Sequence, residues 1–273
     1  MVESNPESNS IHIVVAGPRG RMGSETIRMI RRTPGFILTG AIDDGHNGEK
    51  VSDVLGLPDA DAVIYDDAAA CFTAARPDVF VDFTNPEAGR HNLQAAIDYG
   101  VRPVIGTSGF TDEDVKYYRE QADRKKLGGI IAPNFAIGAV LVMKFSQIAA
   151  KYFPDVEIIE MHHDGKKDAP SGTAVKTAEM IRKTRKAKEQ GAPDEKETLK
   201  GARGADFDGM RIHSVRLPGL VAHQQVLFGS KGELLTLRHD SIDRSSFMTG
   251  VRYSIRAVLS LETLIYGLEN ILD

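Results

Sequence analysis

Short apolar runs alternate regularly with amphipathic stretches over the first half of the chain, and this limits the fold more than any other feature. Ile11–Ala16 and Phe36–Ile42 are strand-length runs rich in β-branched residues, and a similar run spans residues 79–83. Residues 22–32 and 88–99, which follow two of these runs, carry apolar side chains at helical spacing. Strands that alternate with helices of roughly ten to fifteen residues build parallel sheets. The sequence therefore predicts an α/β fold whose first domain contains a parallel sheet.

The second half of the chain has a different pattern, which begins after Pro133 and Asn134. Helices are predicted over residues 139–152 and 173–185, with a strand over residues 156–161 between them. Three strand-like segments without intervening helices follow, at residues 212–217, 221–228 and 234–239. Such a succession of strands favours a mixed or antiparallel sheet, so the second domain is predicted to be α+β.

These patterns predict two domains, in agreement with a length of 273 residues. The first domain comprises residues 1–133, and residues 242–273, predicted to be helical from residue 248, return to it. The second domain comprises residues 134–241. Within it, residues 183–209 are dense in Lys, Glu, Gly and Asp. We predict a solvated helix end and a mobile loop there.

Composition excludes several classes of function. With 34 Lys and Arg against 38 Asp and Glu, the net charge is −4, which provides no general attraction to nucleic acid or to anionic membranes. The single cysteine, Cys71, excludes an intramolecular disulfide and a cysteine-based zinc site. Residues 1–10 are polar and acidic, unlike a signal peptide, and no apolar run approaches the roughly 20 residues of a membrane span. A cytoplasmic protein is therefore expected.

A glycine-rich loop follows the first predicted strand and precedes the first predicted helix. Its sequence is Gly17-Pro18-Arg19-Gly20-Arg21-Met22-Gly23. Small residues let the backbone approach a pyrophosphate, which the N–H groups of a helix start can bind. Asp43 and Asp44 end the second strand, about 20 residues further on, where an acidic side chain holds the adenosine ribose. Although such a loop alone is often only a turn, and Asp44 fits a turn best, the combination predicts a dinucleotide site.

The choice of cofactor is not fixed by these residues. Asp43 and Asp44 would repel a 2′-phosphate, which favours NADH. Arg19 and Arg21 could offset that repulsion by pairing with the phosphate, or they could contact the pyrophosphate or adenine without selectivity. We expect NADH to be used at least as well as NADPH.

Three further segments follow strands that should end at the same edge of the sheet. Open α/β sheets bind ligands outside the carboxyl ends of their strands. Each segment is individually typical of a loop, but together they predict a cleft for the nicotinamide ring. The segments are Phe83-Thr84, Gly106-Thr107-Ser108 and Ala132-Pro133-Asn134-Phe135.

The segment with the most chemical information runs from the end of a strand to the start of a helix. It carries two adjacent histidines, His162 and His163, then Lys166 and Lys167, and finally Ser171-Gly172-Thr173. A histidine can transfer protons near neutral pH, the lysines attract anions, and hydroxyl and N–H groups at a helix N-terminus can hold a carboxylate. Together these groups predict a site for a small dianion.

Each part of this segment also has a structural interpretation. Lys166-Lys167 could be a solvated turn, and Ser-Gly-Thr could serve only as an N-cap. Adjacent residues on a strand face opposite ways, so His162 and His163 are poorly placed to share a metal ion, and no metal site is expected. The other six histidines are expected to be structural or exposed.

Five motifs occur in the order that is typical of one enzyme family. They are residues 14–23, Asp82-Phe83-Thr84, residues 106–110, Pro133-Asn134-Phe135 and the segment Glu160-Met-His-His163…Lys166-x-Asp-Ala-Pro-Ser-Gly-Thr173. In this order the chain resembles the 4-hydroxy-tetrahydrodipicolinate reductase (dihydrodipicolinate reductase) family. The last motif is the most specific, and the resemblance extends from residue 11 over nearly the whole chain.

The resemblance implies a Rossmann-like dinucleotide-binding domain and a second domain that binds a small dicarboxylate and builds a homotetramer. It implies that NADH or NADPH reduces that dicarboxylate in lysine and diaminopimelate biosynthesis. His162 would then be the proton donor and acceptor, and Lys166 a second proton donor. The substrate carboxylates would be held by His163, Ser171, Gly172 and Thr173. The cofactor would be lined by residues 17–22, Asp43, Phe83, Thr84, residues 106–108 and 132–135, and Arg244.

Two departures from the family pattern bear on binding. Asp44 stands where many relatives have a basic residue, which puts a preference for NADPH in doubt. Asp164-Gly165 replaces more basic residues between the histidines and the lysine, which lowers the expected affinity for the dianion.

Two other classes of protein remain as alternatives. A semialdehyde-type dehydrogenase would need a nucleophilic cysteine between its domains, whereas Cys71 falls in a predicted helix of the first domain. A non-catalytic dinucleotide sensor would keep the glycine loop but would have no need of the dianion site.

Overall fold

The computed structural model of the chain describes residues 10–272. The acidic segment 1–9 and Asp273 lie outside the described residues. The chain divides into two compact units, of which the first runs to Phe135 and resumes at Phe247, while the second is Ala136–Ser246.

The divisions between the units differ by a few residues from positions 134 and 242 expected from the sequence. Phe135 groups with the first unit because its ring packs edge-on against Phe83, with centroids 5.8 Å apart. Ser246 groups with the second unit, where its hydroxyl donates to Ser241 Oγ at 3.2 Å. A local sequence pattern does not report the Phe83–Phe135 contact, which joins residues that are far apart in the chain.

The first unit begins with six strands that are mostly buried. Their β-branched residues suit a sheet that is covered by helices on both faces, because both sets of side chains are then removed from water. Strand β4 (VFVD) is buried at all four positions. The strands are β1 (Ile11–Ala16), β2 (Phe36–Ile42), β3 (Val63–Tyr65), β4 (Val79–Asp82), β5 (Arg102–Ile105) and β6 (Gly129–Ile131).

Helices connect these strands, and several carry the expected end signals. Asn85 caps α4 by accepting from the N–H groups of Glu87 and Ala88, and Gly100 ends that helix with a positive φ. Thr111 and Asp114 form a reciprocal capping box at the start of α5. The helices are α1 (Arg21–Arg32), α2 (Val51–Leu55), α3 (Ala68–Ala75), α4 (Pro86–Tyr99) and α5 (Asp112–Arg124).

The second unit is a five-stranded sheet with two helices. Its order is β11-β10-β7-β9-β8, and only the β7–β9 pair is parallel, so the prediction of a mixed sheet is confirmed. Alternate residues of the strands join α6 and α7 in one apolar core. The elements are α6 (Ile137–Ala149), β7 (Asp155–His162), α7 (Gly172–Arg182), β8 (Ala205–Phe207), β9 (Met210–Arg216), β10 (Ala222–Ser230) and β11 (Glu233–Ser241).

The charged stretch 183–209 is more ordered than the solvated helix end and mobile loop that the sequence predicts, and the prediction of a loop is wrong at residues 205–207. It contains strand β8, which pairs with β9. Arg185 is 7% exposed, and its guanidinium donates to the carbonyls of Pro154, Lys188 and Asp208 at 2.5–2.8 Å. The charged composition is misleading here because arginine is normally exposed, whereas the donors of the Arg185 guanidinium hold irregular backbone segments together.

The C-terminal segment returns to the first unit, but it is not wholly helical. Helix α8 spans Met248–Ala257, and the chain then forms strand β12 (Leu264–Tyr266), which pairs with β6 in parallel. The prediction of a helix to the C-terminus is therefore wrong beyond residue 257. Three residues are too short to show a strand period, and pairing with β6 and burial of Leu264 decide the conformation.

The completed sheet of the first unit has seven parallel strands in the order β12-β6-β5-β4-β1-β2-β3, which confirms the predicted Rossmann-like architecture. From β1 the chain moves to β2 on one side and later to β4 on the other. This reversal opens a crevice at the carboxyl ends of β1 and β4, where sheets of this kind bind ligands. Among residues 10–272, none of the helices combines the length and apolar character needed to cross a bilayer.

Candidate active site

The glycine loop lies at this crevice, between β1 and α1. Gly17 has φ +73°, and a Cβ there would lie 2.9 Å from the carbonyl oxygen of Phe83, the residue that follows β4. A Cβ on Gly23 would lie 2.0 Å from Gly17 O. Helix α1 starts after Gly20 with no side-chain cap, which leaves its first N–H groups for a ligand. The loop thus has the close packing and the donors that a pyrophosphate site needs.

Asp43, at the end of β2, is an ionised acceptor beside this loop. Burial alone would raise the pKa of Asp43, but hydrogen bonds from Arg19 and from the N–H of Gly45 lower it below its ordinary value. Arg19 Nε donates to Asp43 Oδ1 at 2.8 Å, and its Nη2 contacts Asp44 Oδ1 at 2.7 Å. Asp43 can therefore accept hydrogen bonds from ribose hydroxyls, and Arg19 is engaged by two carboxylates.

A cleft of about 550 Å³ adjoins these residues. Gly17, Asp43, Asp44, Thr84 and His91 are among its lining residues. Its walls thus combine a backbone-accessible glycine with hydrogen-bond acceptors, as an adenosine site requires. Of the six remaining histidines, His91 lines this cleft, and it is exposed, as the sequence predicts.

The predicted rim segments come together around the buried carboxylate of Asp82, at the end of β4. Asp82 accepts from the N–H and hydroxyl of Thr84 at 2.9 and 2.7 Å, from Thr107 Oγ1 at 2.5 Å, and from Asn92 Nδ2 at 2.9 Å. A Cβ on Gly106 would lie 2.1 Å from the Phe83 ring. Asp82 therefore joins the loops after β4 and β5 with helix α4. The sequence analysis missed this role.

The third rim segment follows β6. The N–H of Ala132 donates to Ile105 O at 2.8 Å, which holds the start of this segment against β5. A small cavity of about 50 Å³ lies beside it, lined by residues that include Thr107, Ser108 and Pro133. The edge-on contact of Phe135 with Phe83 closes the rim. The structure thus brings the three segments to one edge of the sheet.

In the second unit, the predicted histidine, lysine and serine groups are linked by hydrogen bonds. Strand β7 ends at His162, and Ser171 caps α7 by accepting from the N–H of Ala174 at 3.2 Å. A Cβ on Gly172 would meet nothing within 4 Å, so the start of α7 is open. Lys166 Nζ donates to Asp168 Oδ1 at 2.7 Å, a bond that lowers the pKa of Asp168.

Glu160 is the feature that connects this segment, and the sequence analysis gave it no role. Its side chain is fully buried, Oε2 lies 2.6 Å from His162 Nδ1, and Oε1 accepts from the N–H of Ser171 at 3.1 Å. Arg216 contacts both oxygens at 2.9 and 2.7 Å. Burial opposes ionisation, but the bonds from His162 and Arg216 bring the pKa of Glu160 to about 2.

A signal for Glu160 exists in the sequence. Residues i and i+2 of a strand share a face, so a strand that ends at His162 places Glu160 on the same face. Arg216 lies 56 residues from Glu160 and is found only in the fold. Arg244, predicted near the cofactor, lies in the second unit and begins the 3-10 turn Arg244–Phe247, whose last residue belongs to the first unit.

The cysteine is buried, and most of the remaining histidines contact carboxylates outside this site. Cys71 is buried on α3, and burial raises the pKa of its thiol to about 12. A thiol held neutral in this way is unsuited to nucleophilic catalysis, which disfavours a semialdehyde-type dehydrogenase. His12, His46, His213 and His223 each contact a carboxylate. Burial lowers the pKa of His239.

Comparison with known proteins agrees with this geometry. The family model of the dihydrodipicolinate reductase N-terminus matches residues 11–135, and that of the C-terminus matches residues 138–272. The 4-hydroxy-tetrahydrodipicolinate reductase of Geobacillus thermodenitrificans is 58% identical over 264 residues, covering 97% of this chain and all of the relative. That of Halalkalibacterium halodurans is 59% identical over 263 residues, covering 96% of this chain and all of the relative.

Solved structures give the same result. A dipicolinate-bound dihydrodipicolinate reductase from Paenisporosarcina sp. TG-14 superposes with a TM-score of 0.88 at 51% identity, covering 96% of this chain and all of that one. An amine dehydrogenase from Mycobacterium smegmatis, at 15% identity and a TM-score of 0.67 over 97% of each chain, shares the fold alone. The resemblance seen in the sequence motifs is thereby confirmed, and the chain belongs to the dihydrodipicolinate reductase family of NAD(P)H-dependent oxidoreductases.

Proposed function

We propose that the chain reduces 4-hydroxy-tetrahydrodipicolinate to tetrahydrodipicolinate with NADH or NADPH, in lysine and diaminopimelate biosynthesis. The overall change adds one hydride and one proton to the ring and releases the 4-hydroxyl as water. The observation that carries the proposal is the hydrogen-bonded group of His162, Glu160 and Ser171, on the segment that also carries Lys166, in a chain that also has the dinucleotide crevice. It supports the proposal of a proton donor, a cation and a carboxylate-binding helix start on one segment.

The crevice of the first unit fits a nicotinamide dinucleotide. At Gly17 and Gly106 a Cβ would clash with Phe83, so the two glycines allow the loops at this edge to pack closely, and Asp43 offers an ionised acceptor. The residues proposed to hold the cofactor are Gly17, Pro18, Arg19, Gly20, Arg21, Met22, Asp43, Phe83, Thr84, Gly106, Thr107, Ser108, Ala132, Pro133, Asn134, Phe135 and Arg244. When bound, NAD(P)H supplies the hydride.

His162 is proposed to donate the proton. Its Nδ1 lies against Glu160, so the proton exchanged with the substrate would be carried on Nε2. Lys166 would be a second donor for this same proton and, with its positive charge, attract the dianion. His163, Ser171, Gly172 and Thr173 would bind the two carboxylates, aided by the N–H groups at the start of α7.

The preference between the two cofactors follows from Arg19. Because Asp43 and Asp44 both contact its guanidinium, Arg19 is less available to a 2′-phosphate. We propose that NADH is used at least as well as NADPH. Values of kcat/KM for the two cofactors, measured side by side, test this; a strong preference for NADPH would contradict it.

A homotetramer built through the second unit is also proposed. On the sheet face that points away from α6 and α7, Leu234 is 67% exposed, and Leu217, just beyond β9, is 54% exposed. Covering such side chains stabilises an assembly. Light scattering should give four times the chain mass of 29.8 kDa, whereas a monomer would refute the proposal. A cytoplasmic location is proposed because NAD(P)H and amino-acid precursors are supplied there.

The roles in the second unit are tested with His162→Ala and Lys166→Ala. The first should lower kcat by roughly 10²–10⁴ while the protein still binds pyridine-2,6-dicarboxylate in the presence of NADH. The second should impair both kcat and KM. A wild-type protein that binds NADH but does not bind the dicarboxylate would instead favour a dinucleotide sensor.

A further inference from the structure

The ion pair between Glu160 and Arg216 spans three parts of the second-unit segment. Through Glu160 it reaches His162 at the end of β7 and the N–H of Ser171 at the start of α7. Through Arg216 Nη2 it reaches the carbonyl of Asp168, in the loop between them, at 2.7 Å. A single buried contact therefore fixes the strand end, the loop and the helix start relative to one another.

We infer that Glu160 and Arg216 are positioning residues for the reduction, an inference that rests on the proposed function. Glu160 accepts a hydrogen bond from Nδ1 of His162 and so fixes the tautomer and the orientation of the imidazole. Arg216 holds Glu160 in place and keeps the loop that carries Lys166 against the strand. Neither residue is assigned contact with the substrate.

The geometry favours this role over a purely structural one. A buried carboxylate is costly unless it is paired and hydrogen-bonded, and burying it for stability alone brings little over apolar packing. Val156 and Ile158, on the same face of β7, are apolar core residues, so the acid interrupts a row of hydrophobic positions. At this position the two carboxylate oxygens of Glu160 contact both His162 and the N–H of Ser171 at the start of α7.

Few charged groups face Glu160 and His162 in the described part of the chain. Across the antiparallel β7–β10 contact, Gln224 lies opposite Glu160 and Ala222 opposite His162, and neither titrates. Gln224 Nε2 donates to Thr177 Oγ1 of α7 at 2.8 Å. The titratable or charged groups to consider are Lys166 and Asp168 in the loop, Arg216 on β9, and His239 on β11, which lies opposite Gln224.

A matched control exists on the same strand. Glu157 contacts His213 Nε2 at 2.9 Å and Arg203 at 2.6 Å, so it forms a second carboxylate–histidine–arginine cluster. Its odd-numbered position places it on the opposite face of β7 from Glu160. Glu157→Gln therefore removes an equivalent charge without touching the segment of residues 162–173.

The test measures NADH oxidation with substrate made in situ, as a function of pH. Glu160→Gln should lower kcat roughly 10- to 1000-fold, in the range found for buried partners of functional histidines. Its KM should change little, because the amide keeps an oxygen for the Ser171 N–H. The pH profile of its kcat should also differ from that of wild type, because no negative charge then lies beside His162. Arg216→Lys should lower kcat and also raise KM, and Glu157→Gln should stay within about twofold of wild type.

A double-variant cycle separates positioning from structural support. If Glu160 acts through His162, adding Glu160→Gln to His162→Gln should cause no further loss of kcat. Multiplicative losses, or a folded Glu160→Gln enzyme with wild-type kcat and pH profile, would overturn the inference. Thermal melting establishes folding. If Glu160→Gln does not fold, Glu160→Asp replaces it in the test. A lowered kcat with an unchanged pH profile then supports the positioning role, and an unchanged kcat overturns the inference. An inactive wild-type enzyme would instead refute the proposed function.

Discussion

Replacing Gly23 with alanine should weaken NADH binding more than the small volume of the added methyl group suggests. The added Cβ would lie 2.0 Å from Gly17 O, 2.7 Å from Gly17 C and 3.1 Å from Pro18 Cα. All three are backbone atoms, so no side-chain rotation relieves the contact. The loop must move by roughly 1 Å to restore an ordinary separation, and misplacements of that size can cost about 100-fold in a site that depends on orientation. Overpacking should also destabilise the protein by about 1–3 kcal/mol.

The assay is a fluorescence titration of NADH, together with thermal melting. We expect the Kd of Gly23→Ala for NADH to rise roughly 10- to 100-fold. Gly229→Ala is the matched control, because its Cβ would meet only Asp155 Cβ at 4.0 Å, in the second unit. Its Kd should equal that of wild type. A folded Gly23→Ala protein with wild-type affinity would refute the assignment of this loop to the cofactor.

Three further predictions concern buried groups. Asp82→Ala should leave Thr84, Asn92 and Thr107 without their shared acceptor. The variant should therefore lose about 2–4 kcal/mol of stability and bind NADH more weakly. Calorimetry measures the stability and titration the NADH affinity, and wild-type values in both would contradict this prediction. Cys71→Ala should keep kcat, and native Cys71 should resist alkylation at neutral pH, because burial raises its pKa to about 12; rapid labelling of folded protein would disprove this. The pKa of Glu160 is lowered from 4.5 to about 2 in the folded protein, so its ionised side chain should add up to ~3 kcal/mol to the free energy of unfolding above pH 4.5. This contribution should be lost as the pH falls towards 2. Urea unfolding should therefore show the wild-type advantage over Glu160→Gln shrinking in acid, and a constant difference would argue against it.

The sequence predicts the first unit well because its signals are local and periodic. Runs such as Ile11–Ala16 identify parallel strands, and the ends of those strands identify the ligand edge. Strand β12 escapes prediction because three residues have no readable period and are held by pairing with β6. Arg185 escapes because its partners are carbonyls of distant, irregular backbone.

The candidate site is predictable to a similar extent. His162, Lys166 and Ser171 are visible in one motif, whereas the group that connects them is only partly visible. Glu160 could be found from its position two residues before His162 on one strand face, but Arg216 could not, because only the β7–β9 pairing brings it there. Long-range pairing between strands thus supplies what a motif lacks, namely the partner that holds its members in place.

The proposed reaction is the reduction of 4-hydroxy-tetrahydrodipicolinate by a nicotinamide cofactor with a proton from His162. It is tested by following NADH oxidation in the presence of substrate made in situ, for wild type and for His162→Gln at equal folded concentration. We expect substrate-dependent oxidation by wild type, with formation of tetrahydrodipicolinate, and a kcat lowered by roughly 10²–10⁴ in the variant. Wild-type protein that binds NADH without oxidising it would refute the proposed reaction, and a variant as fast as wild type would refute the role of His162.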